Sequence, residues 1–178
     1  MRVVIVYESL YGNTHLVAEK VAGGVRPGAE AVVLPVSEAT PDVLKGADLL
    51  VVGGPTHMHG LSTSKSRQVA EADAEKRNLT LDPDAESEGL RTWFHTLEQG
   101  DGRRSAAFDT RLDGPAGFTG RASRGIARRL RHSGYVLAVD PESFLVDKEN
   151  HLVSGEADRA REWASRIVGE HQVQENPA

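Results

Sequence analysis

A short polar loop near the amino terminus, Ser9-Leu10-Tyr11-Gly12-Asn13-Thr14, contains residues suited to binding an anion. Ser9 and Thr14 offer hydroxyl donors, and Gly12 lets the backbone come close to a ligand. A helix that begins within such a loop points its first N–H groups at an anion. Because the loop contains no Lys or Arg, a bound phosphate would be held by neutral donors and the helix dipole. The alternative is that Ser9 and Thr14 only cap the helix.

Two further polar segments follow later predicted strands, namely Pro55-Thr56-His57-Met58-His59-Gly60 and Asp109-Thr110-Arg111. The carboxyl ends of parallel strands meet at one edge of a sheet, where ligands bind in this class of fold, so we expect both segments to lie near the first loop. His57 and His59 also raise the question of a metal. Two histidines without a nearby carboxylate seldom suffice as ligands, so we predict no metal site. The alternative for the first segment is a loop closed by polar side chains.

The predicted secondary structure around these segments alternates between strand and helix along the chain. Strand patterns cover residues 3–7, 31–36, 48–53, 105–109 and 135–139, the last with a possible continuation through 144–146. Helical patterns follow the first loop, begin at Thr40-Pro41, and recur around residues 90–97, 122–132 and 160–168. This alternation predicts an α/β, doubly wound three-layer sandwich with a five-stranded parallel sheet.

The length of 178 residues predicts one domain over residues 1–170, with a disordered polar tail over 171–178. The stretch 62–86 stands outside the alternating scheme. Its only large apolar residues are Val69, Leu79 and Leu81. We therefore expect its helical part to cover little core and to lie over a neighbouring loop.

Composition excludes several functional classes. The formal net charge of −5 and the aromatic content of 5% give neither the basic footprint nor the stacking surface typical of nucleic-acid binding. The absence of cysteine means that any redox chemistry must come from a bound cofactor. With no apolar run long enough for a signal peptide or membrane span, we expect a cytoplasmic protein. We interpret five arginines of one helix as a solvated basic face, with a partner-docking site as the alternative: Arg121, Arg124, Arg128, Arg129 and Arg131.

The first strand, loop and helix together resemble the phosphate-loop signature of flavodoxins, in the pattern Ile5-Val6-Tyr7-x-Ser9-x-x-Gly12-x-Thr14-x-x-x-Ala18-x-x-Val21. The resemblance implies a flavodoxin-like fold with strand order 2-1-3-4-5 and flavin mononucleotide (FMN) as cofactor. It also implies that residues 9–14 hold the FMN phosphate, and that residues 55–60 and 109–111 contact the flavin ring. Residues 55–60 resemble the Pro-Thr-x-x-Gly loop of flavodoxin-like quinone reductases, with one extra residue.

Two features depart from the flavodoxin pattern. Flavodoxins usually place the ring between a Trp and a Tyr from these two later segments, and this chain has neither there. Met58, His57, His59 and Phe118 are the side chains that could cover the ring faces instead. Arg111 would be a partner for negative charge on the reduced flavin, or would form a surface salt bridge with Asp109 or Asp113.

These observations predict an FMN-binding redox protein acting as an electron carrier, exchanging electrons with a partner protein or a small-molecule acceptor. The first alternative is an FMN-dependent NAD(P)H:quinone oxidoreductase, favoured by residues 55–60 and by the additional stretch 62–86. The second is an interaction module that has lost its flavin. No catalytic side chain is assigned, and the oligomeric state is left open.

Overall fold

The computed structural model describes residues 1–57, 60–86 and 88–175. The strands are β1 Arg2–Tyr7, β2 Glu30–Pro35, β3 Leu49–His57, β4 Gly60–Leu61, β5 Arg104–Leu112, β6 Val136–Leu137 and β7 Glu142–Val146. They lie in the order β2-β1-β3-β5, and β6 and β7 share the fifth position by pairing with successive parts of β5. These pairs are parallel. When β5 is counted as the fourth strand and β6 with β7 as the fifth, this is the predicted order 2-1-3-4-5, which is confirmed. The prediction lacks β4, a short antiparallel strand beside β3.

The helices lie on both faces of this sheet. They are α1 Asn13–Gly23, α2 Pro41–Leu44, α3 Ser64–Arg77, α4 Leu90–Trp93, α5 Ala116–Thr119, α6 Ala122–His132 and α7 Glu156–Glu175. Side chains of α1 and α7 form one apolar core with the sheet, and side chains of α2, α4 and α6 form a second core on the opposite face. The three-layer sandwich is thus confirmed.

The central strand β1 shows why the sequence folds this way. Val3 and Ile5 pack toward α1 and α7, whereas Val4 and Val6 pack toward α6, and all four side chains are fully buried. A strand covered on both faces requires a continuous apolar run, which β1 provides. Helix α7, predicted from the pattern around residues 160–168, has an apolar stripe that is also buried and consists of Ala160, Trp163, Ala164, Ile167 and Val168. Its Trp163 makes edge contacts with Phe108 of β5 and Phe144 of β7.

Two strands extend further than the sequence pattern predicts. β3 continues to His57 and β5 continues to Leu112, so the segments expected to follow these strands form the strand ends. The extensions are held by backbone pairing, because Pro55 aligns with Thr110 of β5 and Leu112 aligns with Val146 of β7. The short strand β4 pairs antiparallel with the end of β3, with Thr56 aligned with Leu61.

The helix predicted around residues 90–97 is only one turn long. Leu90, Trp93 and Phe94, the apolar residues of this helical pattern, are buried as predicted, but the chain leaves the α-helix after Trp93. There the amides of His95 and Thr96 make i to i+3 hydrogen bonds, to Thr92 and Trp93, and the Leu97 amide makes one i to i+4 bond to Trp93. The Thr96 hydroxyl also donates to the Trp93 carbonyl. A side chain that bonds to a nearby carbonyl competes with helix continuation.

The stretch 62–86 contains α3 and lies over the first loop, as predicted. Its start is joined to β1 through the buried carboxylate of Glu8, which accepts hydrogen bonds from the Ser62 hydroxyl and, at 2.8 Å, from the Leu90 amide. At the other end of the chain α7 reaches Glu175, and residues 176–178 lie outside the described residues. The disordered tail over 171–178 stays a prediction.

Candidate functional site

The first loop forms a tight turn directly before α1. Gly12 has φ 85°, a conformation that favours glycine, and no atom lies within 4 Å of the position that a Cβ would take. Its amide donates to the Ser9 hydroxyl oxygen at 3.1 Å, and its carbonyl accepts from Leu16 at 2.8 Å. The N–H groups of the first helical turn have no acceptors within the helix and therefore suit an anion.

Side-chain hydrogen bonds join this loop to the ends of two other strands. The hydroxyl oxygens of Thr14 and Thr110 are 2.7 Å apart. The Asn13 amide nitrogen donates to the backbone oxygen of Asn150 at 2.9 Å and to its side-chain oxygen at 3.0 Å. The start of α1 is thereby tied to β5 and to the turn after β7, at the carboxyl edge of the sheet.

A cavity of about 570 Å³ opens at this edge. Its size falls within the range typical of small-molecule sites. It brings together nine of the predicted site residues, namely Leu10, Tyr11, Asn13, Thr14, Pro55, Thr56, His57, Thr110 and Arg111. The three predicted segments therefore contribute to one cavity.

The other predicted site residues have different positions. Ser9 and Gly12 are absent from the cavity lining and instead shape the turn behind it. Asp109 is fully buried behind Thr56. Gly60 lines a different groove beside α6. Met58 and His59 lie outside the described residues.

Asp109 connects the second and third predicted segments to α6. Its Oδ2 accepts from the Ser123 amide at 2.8 Å and from the Thr56 hydroxyl at 3.0 Å, and Thr56 accepts in turn from the Ala122 amide at 2.9 Å. Burial raises the pKa of the Asp109 carboxyl, and the hydrogen bonds, led by that from the Ser123 amide, offset part of the rise. Asp109 thus supports the cavity wall from behind.

The two ionisable side chains predicted to act on the ring have defined surroundings. Burial, and secondarily the charge of Arg67, lowers the pKa of His57, so its imidazole is neutral at pH 7. Nη1 of Arg111 donates to the carbonyls of Leu112 and Gly114 and to the Thr119 hydroxyl. Arg111 therefore lines the cavity while holding the backbone of the segment that follows β5.

The stretch 62–86 covers the first loop through a small separate apolar cluster of Leu10, Ala70 and Ala85. The Tyr11 hydroxyl donates to the Ala70 carbonyl at 2.9 Å, and the Asp82 amide donates to the Leu10 carbonyl at 2.7 Å. His15 stacks on Tyr7 and approaches Asp82 at 3.2 Å. These contacts make α3 a wall of the cavity.

Sequence reasoning missed several lining residues. The missed residues with polar or charged side chains are Ser66, Asp73 and Lys76 of α3 together with Asp147, Lys148 and Asn150. The last three follow the fifth strand position, so the rule that carboxyl ends share one edge could have found them. Asn150 also has φ 67°, a conformation in which Asn is enriched. No comparable signal marks α3.

These surroundings fit a phosphorylated ring ligand such as FMN. Hydroxyl and amide donors cluster at the start of α1. The lining carries the positive charges of Lys76, Lys148 and Arg111 and the negative charges of Asp73 and Asp147. Leu10, Pro55, Val69 and Leu112 provide apolar surface. Tyr11 is the one Phe, Tyr or Trp among the described lining residues. Those residues therefore do not include the Trp and Tyr pair between which flavodoxins usually place the ring.

Two negative findings apply to residues 1–57, 60–86 and 88–175. No three His, Asp or Glu side chains there are grouped closely enough to hold a metal ion. No helix there has both the length and the apolar character needed to cross a membrane.

Comparisons with known proteins agree with this architecture. The model of the flavodoxin family matches residues 5–101. A flavodoxin from an archaeon has a similar structure, with a TM-score of 0.65, 20% identity, and coverage of 97% of this chain and 99% of the other. At this level of identity the similarity shows the fold alone.

Two curated relatives are similar over shorter segments. An NAD(P)H dehydrogenase (quinone) of Geobacter sulfurreducens is 58% identical over 48 residues, which cover 25% of this chain. A flavodoxin of Aquifex aeolicus is 41% identical over 69 residues, which cover 38% of this chain. The matched segments span 24% and 37% of these relatives. Because the family model matches more than half of the chain, this protein belongs to the flavodoxin family, whose cofactor is FMN.

Proposed function

We propose that this chain is an FMN-binding electron carrier. The observation that carries the proposal is the junction of Thr14 at the start of α1 with Thr110 of β5, at the edge of a ligand-sized cavity. When bound, FMN supplies the redox chemistry. The protein supplies binding, orientation and charge.

The residues that would hold FMN divide into two groups. Thr14 and the amides of the first turn of α1 would hold the phosphate, with Gly12 keeping the turn open and Ser9 stabilising it. The strand ends at residues 55–57 and 110–112 would hold the ring, with Asp109 supporting them from behind. The paired positions of Pro55 and Thr110 support this division, because they place both strand ends on one wall.

An absorbance and titration experiment tests the proposal. The purified chain is expected to be yellow, or to gain flavin absorbance and quench flavin fluorescence on stoichiometric addition of FMN. Riboflavin, which lacks the phosphate, is the matched control and should bind more weakly. Equal affinity for the two flavins would contradict the phosphate site at α1, and no binding of either would contradict the proposal.

The second candidate function is an FMN-dependent NAD(P)H:quinone oxidoreductase. The 58% identity to a quinone-reducing relative over 48 residues favours it, as does the wall that α3 adds to the cavity. Anaerobic photoreduction separates the two functions. A carrier should be reduced in two one-electron stages with a distinct spectral form between them. An enzyme should bleach in one two-electron stage and oxidise NADPH rapidly when a quinone is present.

No observation on the described residues favours the flavin-free interaction module over the two flavin-binding functions. That module predicts a colourless protein that does not bind added FMN. The proposal for the carrier includes a redox partner that exchanges electrons with the bound FMN. It also includes the cytoplasmic location expected from sequence.

A further inference from the structure

A second large groove lies beside α6, on the sheet face opposite α1 and α7. Its volume is about 640 Å³, and six arginines line it, namely Arg91, Arg121, Arg124, Arg128, Arg129 and Arg131. Of the described residues that line this arginine groove, none is acidic. The whole chain carries a formal net charge of −5, so the positive charge is concentrated locally.

The groove arginines differ in their surroundings from four arginines that form ion pairs, namely Arg2, Arg159, Arg161 and Arg166. Arg159 pairs with Glu142 at 3.0 Å, and Arg161 pairs with Asp158. Among the ion pairs between residues of the described ranges, none involves a groove arginine. Holding like charges together without counter-charges costs stability, which favours a function for the cluster over chance.

Two groove arginines are held in fixed positions on protein surface. Arg91 donates to the carbonyls of Leu61 and Ser62, each at 3.1 Å. Arg129 lies 5.9 Å above the ring of Phe94, and burial followed by the charges of Arg91 and Arg128 lowers its pKa. Arg124, Arg128 and Arg131 are exposed. The groove therefore has a floor of guanidinium groups held in place and a rim of exposed ones. This arrangement suits a broad anionic surface better than a single enclosed anion.

The arginine groove is connected to the candidate FMN site through the pairing of β4 with β3. Gly60 and Leu61 of β4 line the groove, and β4 pairs with the end of β3 that lines the FMN cavity. The first amides of α6 bond to Thr56 and Asp109. A partner seated in the groove would therefore lie beside the segments proposed to hold the flavin ring.

We propose that the arginine groove docks the acidic surface of a redox partner protein. The inference rests on the proposed carrier function, because it names the class of partner that the carrier meets. Complementary charge steers such encounters and fixes their orientation, and both effects weaken with salt.

The test uses poly-L-glutamate as the acidic probe. Its binding to the FMN-loaded chain is measured by fluorescence anisotropy at about 0.02 M and about 0.3 M salt. The variant Arg124→Gln/Arg128→Gln should lose roughly tenfold in affinity at low salt. The matched control is Arg161→Gln/Arg166→Gln, which makes the same charge change on exposed side chains of α7 and should lose less than about twofold.

Three outcomes would overturn the inference. Equal losses in both variants would mean that diffuse charge, not the groove, binds the probe. Displacement of the probe by one equivalent of inorganic pyrophosphate would mean a small-anion pocket. Self-association of the chain at low salt that the groove variant abolishes would mean that a second copy is the occupant.

Failure of the proposed function is distinguished by repeating the measurement without FMN. Suppose that the chain does not bind FMN and that only the groove variant has a reduced affinity for poly-L-glutamate. An acidic partner is then supported, and the inference that this partner is a redox protein is overturned. If FMN binds and the two variants behave alike, the carrier function stands and the docking inference falls.

Discussion

Thr14 and Asp109 show how single side chains can act on one cavity from opposite sides. Thr14 lines the cavity, and its hydroxyl shares a 2.7 Å hydrogen bond with Thr110. The Asp109 carboxylate is fully buried and holds Thr56 and the start of α6 in place. Thr14 is therefore expected to control ligand affinity, and Asp109 to control the positions of other residues.

Replacing Thr14 should weaken FMN binding. Thr14→Val keeps the volume but removes the hydroxyl, so we expect a loss of about 1 to 3 kcal/mol, the range for a hydrogen bond to a charged group. Fluorescence titration with FMN measures the loss. The control is Thr40→Val, at an exposed position before α2 where the side chain makes no capping bond. Unchanged affinity in Thr14→Val would remove Thr14 from the site.

Replacing Asp109 should change how stability depends on pH. Because its pKa is raised in the folded state, the folded protein holds this proton at pH values where the unfolded chain has lost it. The contribution of Asp109 to stability is therefore greatest at low pH and falls as the pH rises through the raised pKa. Urea unfolding at several pH values should show wild type losing stability relative to Asp109→Asn over that range. A constant difference between the two proteins would contradict the raised pKa.

At the scale of elements, α3 stands apart from the rest of the fold. It contacts the first loop through the cluster of Leu10, Ala70 and Ala85, which is separate from both main cores. Val69 is 63% exposed, so the helix contributes little to core packing. We therefore expect α3 to open at lower free energy than the sheet.

A charge placed in this cluster should release α3 without unfolding the domain. Ala70→Glu buries a carboxylate against Leu10, which is unfavourable without a partner. Faster hydrogen exchange and proteolysis within residues 64–77 should follow, while exchange in β1 stays slow. The control is Gln68→Glu, which adds the same charge at an exposed position of the same helix. Equal protection in both variants would contradict a separately held helix.

Local patterns predict the strand and helix order well because each element has the apolar periodicity that its surroundings require. The run in β1 and the stripe of α7 are examples. Strand ends were predicted less well, because β5 reaches Leu112 only through pairing with β7, which is distant in sequence. The lining residues Asp73 and Lys76 of α3 are missed for a related reason. Their place at the cavity depends on how α3 packs over the first loop, and no local spacing encodes it.

At the scale of the whole molecule, the first and last helices pack against each other across one face of the sheet. A Cβ at Gly24 would lie 2.2 Å from the carbonyl oxygen of Arg161, so the end of α1 and the backbone of α7 are in close contact. Ser165 donates to the Gly24 carbonyl at 3.0 Å at the same crossing. This contact joins segments far apart in sequence.

Adding a methyl group at this crossing should destabilise the entire domain. Gly24→Ala must push α1 and α7 apart, and we expect a loss of about 1 to 3 kcal/mol, the usual cost of overpacking. Chemical denaturation measures the loss. Gly117→Ala is the control, because a Cβ there meets no atom within 4 Å and its φ is not positive. Comparable stability of the two variants would contradict the close crossing.

The two tryptophans are divided between the two apolar cores. Trp93 is 3% exposed on the α6 face, where its indole N–H donates to the Ala39 carbonyl, and Trp163 is 2% exposed on the α7 face. Each layer thus contains its own intrinsic fluorophore. Variants that keep one indole at a time would let emission report each layer separately during denaturation, and coincident curves would identify cooperative loss of the whole sandwich.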